Sequence, residues 1–488
     1  MKNLRDILYE VNMLEVLGNT DLAIQDFTSD SRKVESDMMF VAITGSHVDG
    51  HYYIDQAIKA GARAIICERL PESVDEQVLY IRVLRSDKAY ARLCENWYDN
   101  PSKTLKLVGV TGTNGKTSIA SMLWELHTQH GHMCGLISTN VIRIGSRVID
   151  ATHTTPDARR ISSVLREMAN FNCSHVFMEV SSHGLVQHRP SALAFDGMIF
   201  TNLTHDHLDY HKSMKAYRDA KKLAFDGLHT SAFALVNIDD KNGSYMVQNT
   251  KASIYSYSQY GPSDYRVRVL EQDIAGLALN IEGAEVHTHM IGDFNATNLL
   301  AVYAAAHLLG SKEEDILRTL SVIRGAKGRM EIVLTEETQI TGIIDYAHTP
   351  DAVQKVLEVI REVLRGGMRV ITVIGCGGNR DVTKRPKMGL LSARLSDQVI
   401  FTADNPRNEE AEDICRAMLQ GVELSSRRKC SIIVDRKEAI YKAVSMAQPN
   451  DIVLVAGKGH ETTQVFGDKV FPFDDGKILF DALKSVGS

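Results

Sequence analysis

Residues 107–118 read Leu-Val-Gly-Val-Thr-Gly-Thr-Asn-Gly-Lys-Thr-Ser, and this stretch limits the possible folds more than any other. An apolar run feeds a glycine-rich turn, a Lys-Thr pair follows, and apolar residues then recur at helical spacing: Ile119, Met122, Leu123 and Leu126. Strand, tight turn and helix in that order make half of a parallel α/β unit. Such a turn also suits a polyphosphate. Glycines let backbone N–H groups close around an anion, and the helix N-terminus adds the positive end of its dipole. In this reading Lys116 reaches the β- and γ-phosphates and the Thr117 hydroxyl holds Mg²⁺. Val110 stands where the pattern G-x-x-x-x-G-K-T has its first glycine, so a strand–turn–helix corner with a chance lysine is the alternative.

The 488 residues are enough for about three domains. With 44% hydrophobic and 24% charged residues, the chain reads as soluble and folded rather than disordered. Its formal net charge of −6 argues against a nucleic-acid-binding surface. The seven cysteines form no C-x-x-C pair and read as reduced thiols of a cytosolic protein. Met1-Lys2-Asn3-Leu4-Arg5-Asp6 lacks a signal peptide's apolar core, and no apolar run approaches the ~18 residues of a membrane span. A cytoplasmic protein is therefore expected, with no membrane span and no nucleic-acid partner, and as a monomer.

Alternating strand and helix patterns predict an α/β fold in three domains. Residues 1–100 read as mixed α/β, with strands at 39–43 and 62–67 around a helix at 54–60, and Asn100-Pro101-Ser102 reads as a linker. Residues 101–328 read as a central P-loop ATPase-like domain, with further parallel strands at 135–138, 175–180 and 197–201. The alternation restarts after Gly325-Ala326-Lys327-Gly328, so residues 329–488 read as a Rossmann-like domain. Its strands are predicted at 340–345, 369–375, 398–402, 430–434 and 451–456, and its helices at 352–363 and 411–420. A nucleotide clamped between the second and third domains suits this order.

Other segments carry chemistry at strand ends, where doubly wound folds place ligands. Glu179, in Glu179-Val180-Ser181-Ser182-His183-Gly184-Leu185, ends a strand and reads either as a Mg²⁺ ligand or as a satisfied strand-end carboxylate. His205, Asp206, His207, Asp209 and His211 suggest zinc by composition, but a polar loop at the ligand edge explains them equally well. The helix after it is predicted to bury Tyr217, Leu223 and Phe225 and to leave its lysines solvated, with nothing to separate Lys221 from Lys222. Three late loops follow strands, at residues 375–381, 404–407 and 457–461. Each reads as a ligand contact or as a capping turn, and Arg407 could fork onto a carboxylate.

Together these segments resemble the Mur ligase family of bacterial cell-wall enzymes over essentially the whole chain. Gly112, Thr113, Asn114, Gly115, Lys116, Thr117 and Ser118 are similar to the family's variant phosphate loop, which accounts for Val110. The resemblance implies Mg²⁺ ligation by Thr117, Glu179, His207 and Lys221, the last as a carbamate, which would turn a cation into an anionic ligand. Lys116, Lys221 and His207 are then the catalytic positions. Asn295 and Asn298 in a G-x-F-N-x-x-N motif, with Arg329 and His348, resemble further ATP contacts. Ser29, Ser31, Ser46, His47 and Val48 resemble a uridine-nucleotide site, and Thr154, Thr155, Ser181, Gln187 and Arg189 resemble muramoyl-peptide contacts. Asp404, Asn405, Pro406 and Arg407 resemble the signature of members that add meso-diaminopimelate, with Arg380, Gly457 and Glu461 as the remaining contacts. The physics agrees: a second amino-acid group brings a carboxylate that suits Arg407 and an ammonium that suits Glu461, whereas the ε-ammonium of lysine would be repelled by Arg407.

The implied reaction is ATP-driven amide formation on UDP-N-acetylmuramoyl-L-alanyl-D-glutamate, with Mg²⁺ as cofactor and ATP as co-substrate. The γ-phosphoryl group would pass to the D-glutamate side-chain carboxylate, and the amine of diaminopimelate would attack the acyl phosphate. Closure of the third domain onto the second would order these steps. The alternatives are the same ligation with L-lysine, a folylpolyglutamate synthase-like ligase, and a nucleotide-binding regulator. The 100-residue N-terminal domain argues against the second, and intact Lys116, Glu179, His207, Lys221 and Arg407 argue against the third.

Overall fold

A computed structural model describes residues 1–45, 48–139, 141–151, 153–364 and 366–486. The chain divides into two compact units, Met1–Tyr265 with Ala304–Ser311, and Arg266–Tyr303 with Lys312–Ser488. The fold class is α/β, as the alternation predicts.

Besides the two-stranded pairing of Lys2–Asn3 with Ala23–Ile24, the first unit holds two sheets. The smaller runs in the order Met13–Leu17, Leu79–Val83, Ala62–Cys67, Met38–Val41, Phe27–Thr28, parallel except for its first strand. In the larger, Arg147–Asp150 and Val141–Ile144 form an antiparallel edge hairpin on Cys134–Ile137. The parallel strands His175–Glu179, Lys106–Thr111, Gly197–Phe200, Phe233–Asn237 and Ser253–Ser258 follow in that order. Lys106–Thr111 lies between His175–Glu179 and Gly197–Phe200 and is buried after its first residue, which is why it reads as a continuous apolar run. The helix Lys116–Gln129 then buries Ile119, Met122, Leu123 and Leu126.

The segment expected to be a linker is packed. Pro101–Thr104 is a short 3₁₀ helix, and Pro101 and Ser102 are buried. The buried Glu95 carboxylate accepts from Ser102 Oγ at 2.5 Å and from Ser162 Oγ at 2.7 Å, which ties three segments together.

The second unit is built on the sheet Glu331–Val333, Thr341–Asp345, Ile452–Ala456, Val370–Ile374, Gln398–Phe401, Cys430–Ile432, parallel except for its first strand. Pro350–Val363, Lys384–Leu395 and Ala411–Gln420 supply residues to one apolar core, and Arg436–Met446 and Asp475–Val486 to another. An antiparallel meander, Tyr265–Asp273, Gly276–Ile281 and Ala284–Thr288, precedes the helix Asp293–Leu308.

One sequence expectation is reversed. In the helix Met214–Asp226, Leu223 is 41% exposed, whereas Lys221 and Lys222 are buried. Tyr217, Ala220, Lys221, Ala224 and Phe225 fall at i, i+3, i+4, i+7 and i+8, so they share the inward face and Leu223 does not.

Candidate active site

The phosphate loop runs from the end of Lys106–Thr111 into the helix Lys116–Gln129. Gly112 takes φ +154°, and a Cβ there would fall 1.8 Å from Thr201 Oγ1, so no other residue fits. The segment after Gly197–Phe200 pins the turn. Thr113 N donates to Asn202 O at 2.8 Å, Asn114 N to Asn202 Oδ1 at 3.0 Å, and Thr201 Oγ1 to Asn114 O at 2.6 Å. Lys116 Nζ curls over the loop and donates to Gly112 O at 2.9 Å and Thr113 O at 2.8 Å.

Beside the loop, Glu179 is fully buried at the end of its strand. Its Oε1 accepts from Thr117 Oγ1 and from Thr139 N, both at 2.8 Å, and its Oε2 from Thr139 Oγ1 at 3.1 Å. Among the described residues no cation pairs with it. A buried carboxylate held only by hydroxyls and an amide is a strong place for a positive charge. The donor set, a carboxylate and hydroxyl oxygens, is what a hard divalent cation takes.

Lys221 and His207 also lie against the loop. Lys221 is 1% exposed, its Nζ donates to Gly112 O at 2.7 Å, and it sits 4.6 Å from the centre of the Tyr217 ring. Burial, and then the charge of Lys116, push the Lys221 amine well below its ordinary range. His207 is in the left-handed region at φ +53°, with its Nε2 3.5 Å from Asp206 Oδ2 and its ring 4.9 Å from that of His183. Burial, and then Lys116 and Lys221, hold its imidazole below the usual range, against the pull of Asp206. Lys116, Thr117, Glu179, His207 and Lys221 are thus grouped around one loop. Among the described residues His205, Asp206, His207, Asp209 and His211 do not bring three ligand atoms together.

A polar cluster continues from Glu179. Thr155 Oγ1 donates to Glu179 O at 2.9 Å and accepts from Ser181 N at 2.9 Å. Arg189 Nη1 donates to Thr155 O at 2.6 Å and its Nε to Gln187 Oε1 at 3.0 Å, while Thr154 Oγ1 lies 3.1 Å from Thr139 Oγ1. Thr154, Thr155, Ser181, Gln187 and Arg189 therefore form one network. Ser29 lines a cavity of 780 Å³ with Asp26, Asp30, Tyr90 and Arg159. Ser31 begins the 3₁₀ turn Ser31–Lys33, Val48 is exposed, and Ser46 and His47 lie outside the described residues.

In the second unit the loops after Ile452–Ala456, Val370–Ile374 and Gln398–Phe401 leave three adjacent parallel strands. A Cβ on Gly378 would meet Pro406 O at 1.9 Å, so two of these loops touch backbone to backbone. Arg407 takes φ +52°, and its Nη1 donates to Gly378 O at 2.8 Å and Asn405 O at 3.4 Å. Asn405 Nδ2 donates to Glu461 Oε2 at 2.8 Å. Lys458, fully buried, donates to Asn405 Oδ1 at 3.1 Å and Glu461 Oε2 at 3.0 Å and lies 3.8 Å from Asp404 Oδ1. Gly457, at φ +112°, passes close to Asp404, and Arg380 is exposed on the 375–381 loop.

The remaining nucleotide-side candidates are also in this unit. Asn295 and Asn298 are buried one helical turn apart, with Asn298 Nδ2 3.2 Å from Asn295 Oδ1. Arg329 lies 4.8 Å from the centre of the Tyr346 ring with its Nε buried and without a hydrogen-bond partner, and His348 Nδ1 is 2.8 Å from Tyr346 O. Sequence reasoning missed Thr139, which had no signal beyond following a strand, and Lys458, which stood inside the quoted 457–461 segment.

Three family profiles match the chain in order: Mur ligase family, catalytic domain, over residues 24–98; Mur ligase middle domain, over 110–306; and Mur ligase, glutamate ligase domain, over 328–459. The chain is 47% identical to the UDP-N-acetylmuramoyl-L-alanyl-D-glutamate--2,6-diaminopimelate ligase of Cytophaga hutchinsonii, covering 99% of each chain. It is 48% identical to the protein of that name from Bacteroides fragilis, covering 98% of each. A solved structure of a protein of that name matches with a TM-score of 0.72 at 30% identity, covering 100% of this chain and 99% of that one. A folylpolyglutamate synthase from Thermotoga maritima shares the fold, with a TM-score of 0.60 at 15% identity over 76% of this chain and 90% of that one.

Proposed function

Since the chain belongs to the Mur ligase family, we infer that it is an ATP-dependent ligase of peptidoglycan precursor synthesis. It adds meso-2,6-diaminopimelate to the D-glutamate side-chain carboxylate of UDP-N-acetylmuramoyl-L-alanyl-D-glutamate. The observation that carries this reading is 47% identity over 99% of both lengths with a protein named for that ligation.

The geometry supports the reading. A carboxylate is a poor electrophile, so the γ-phosphoryl group of ATP passes first to the D-glutamate carboxylate, and the amine then displaces phosphate from the acyl phosphate. The loop N–H groups not spent on Asn202, with Lys116, hold and neutralise the phosphates, and the bonds from Thr113 N, Asn114 N and Thr201 Oγ1 fix the loop before reaction. Thr117, Glu179, His207 and Lys221 as its carbamate would hold Mg²⁺, whose charge offsets that on the phosphoryl oxygens. The Glu179 carboxylate without a cation supports that assignment. Residues 112–118, with Asn295, Asn298, Arg329 and His348, are the proposed ATP contacts. Ser29, Ser31, Ser46, His47 and Val48 are the proposed uridine-side contacts, and Thr154, Thr155, Ser181, Gln187 and Arg189 the muramoyl-peptide contacts. Arg380, 404–407, Gly457 and Glu461 are the proposed diaminopimelate contacts. Functional domains are assigned to 1–100, 101–328 and 329–488. A cytoplasmic monomer is proposed; no helix of the described residues is long and apolar enough to cross a membrane.

The test is an amino-acid panel with UDP-N-acetylmuramoyl-L-alanyl-D-glutamate and ATP, read by product mass and phosphate release. Phosphate should appear only when both the nucleotide substrate and diaminopimelate are present. Equal use of L-lysine would replace diaminopimelate in this reading, and turnover of a folate with glutamate instead would overturn it.

A further inference from the structure

The helix Lys116–Gln129 starts at the phosphate loop, and at its far end lies a cluster that the ligation does not use. At 1.5 Å per residue, His127 is roughly 16 Å along the axis from Lys116. His127, His132 and His175 each offer a ring nitrogen, and these atoms all lie within 4.8 Å of one another. His127 and His175 are buried, with ring centroids 4.6 Å apart and planes 17° from parallel. The His132 ring is 4.7 Å from that of His175 and 5.8 Å from that of His127.

A second observation points to a missing ligand. Neither nitrogen of His127 has a hydrogen-bond partner, although its side chain is 1% exposed. Buried polar atoms are normally paired, and an imidazole with two unmade bonds is a costly way to fill space. His175 is oriented: its Nδ1 lies 2.8 Å from Ser174 Oγ, which leaves Nε2 available. A fixed outer-nitrogen bond of this kind sets the tautomer of a metal-binding histidine. Burial and the neighbouring His175, His132 and His130 hold His127 down at about 3, while burial, His132 and Lys106 hold His175 at about 4. Both rings are therefore neutral near pH 7, with lone pairs free to coordinate.

We propose that His127, His132 and His175 bind one divalent transition-metal ion of the Zn²⁺, Co²⁺ or Ni²⁺ class. Three imidazoles without a carboxylate suit such ions and do not suit Mg²⁺ or Ca²⁺. Some point lies within about 2.8 Å of three atoms spaced this closely, so inward shifts of about 0.7 Å reach a Zn–N distance of 2.0–2.1 Å, and since a lone pair lies in its ring's plane, one ring of the near-parallel His127–His175 pair also turns out of the stack to face the ion. His132 is exposed on the turn between helix and strand and has room to make that shift, and water completes the fourth position. The ion clips the end of Lys116–Gln129 to the start of His175–Glu179, the strand that ends at Glu179.

The full chain, stripped with chelator and kept in excess Mg²⁺, is titrated with Zn²⁺ by calorimetry and with Co²⁺ by visible absorption. The wild type should take up one equivalent that His132→Ala binds at least about tenfold more weakly, with ligase activity unchanged in that variant. His175→Asn should lose the same equivalent. The proposal is overturned if the wild type binds neither ion below about 1 mM, or if His132→Ala and His175→Asn bind it as the wild type does.

Discussion

Arg436 is expected to be the residue whose loss most damages the second unit. It opens the helix Arg436–Met446, and Asp475 opens Asp475–Val486; neither side chain has any exposure. Arg436 Nε donates to Asp475 Oδ1 at 2.8 Å and Nη2 to Asp475 Oδ2 at 2.7 Å, a two-pronged charge-assisted pair. Burial works against the guanidinium charge, but Asp475 outweighs it and the pKa of Arg436 lies above its ordinary value. Arg436 also donates to Ala456 O at 3.0 Å and Ala403 O at 3.4 Å, just before the loops that carry 457–461 and 404–407. Arg436→Met would strand a buried carboxylate, at a cost of about 3–5 kcal/mol. For a unit of about 200 residues each kcal/mol moves Tm by 2–4 °C, so scanning calorimetry should show a drop of roughly 6–20 °C. Arg436→Met combined with Asp475→Leu removes the stranded charge and should recover part of the loss, though Ala456 O still loses its bond to Arg436 and Ala403 O keeps only Gln464 Nε2. A single variant within 2 °C of wild type, or a double variant less stable than the single, refutes this account.

Three further outcomes are expected. Arg407→Ala should raise KM for diaminopimelate about tenfold or more, at the low end of a charge-pair loss because the side chain is half-buried, and leave KM for ATP unchanged; unaltered diaminopimelate kinetics would refute it. Lys221→Ala should lose most ligase activity, with partial rescue by short carboxylates standing in for a carbamate; a fully active variant contradicts the assignment. His127 is held at about 3 against about 6.5 when unfolded, so the unfolded chain binds more protons between those values and stability falls with acidification by up to about 1.4 kcal/mol per pH unit. His127→Phe, packed beside Phe177, should flatten that slope in denaturant melts between pH 6.5 and 5 with chelator present, and an unchanged slope would show that the imidazole is not the source.

The parallel strands were legible because burial on both faces makes them continuous apolar runs; Ala62–Cys67 and Ile452–Ala456 are wholly or nearly buried. The edge elements were not. Val141–Ile144, Arg147–Asp150 and Met13–Leu17 expose alternate or most residues, and their sequences resemble loops until a neighbour pairs with them. In the meander, Gly276–Ile281 does alternate in burial near its end, and that period-two signal was available. Lys221 and Leu223 show the opposite failure: helical spacing, applied from Tyr217, selects Lys221 for the inward face, but residue type favours Leu223. Spacing was right because the cavity beside Gly112 O and the Tyr217 ring accepts the lysine.

The third-domain loops show why their charges could not be assigned from composition alone. The sequence offers Asp381, Asp404 and Glu461 as anions and Arg380, Arg407 and Lys458 as cations, and residue type alone would leave Lys458 in solvent. In the fold Lys458 is buried under Asn405 and bonded to Glu461 Oε2, so that oxygen already serves the protein and Oε1 is the one the proposed site would offer to an incoming ammonium. Arg407 spends Nη1 on the backbone carbonyls of Gly378 and Asn405. Those bonds fix the guanidinium plane while Nε and Nη2 have no partner among the described residues. In the proposed diaminopimelate site, one anionic oxygen and one oriented guanidinium edge would match the two ends of a second amino-acid group better than the single ε-ammonium of lysine. That preference rests on Lys458 being buried, which is a property of the packed strands rather than of the motif.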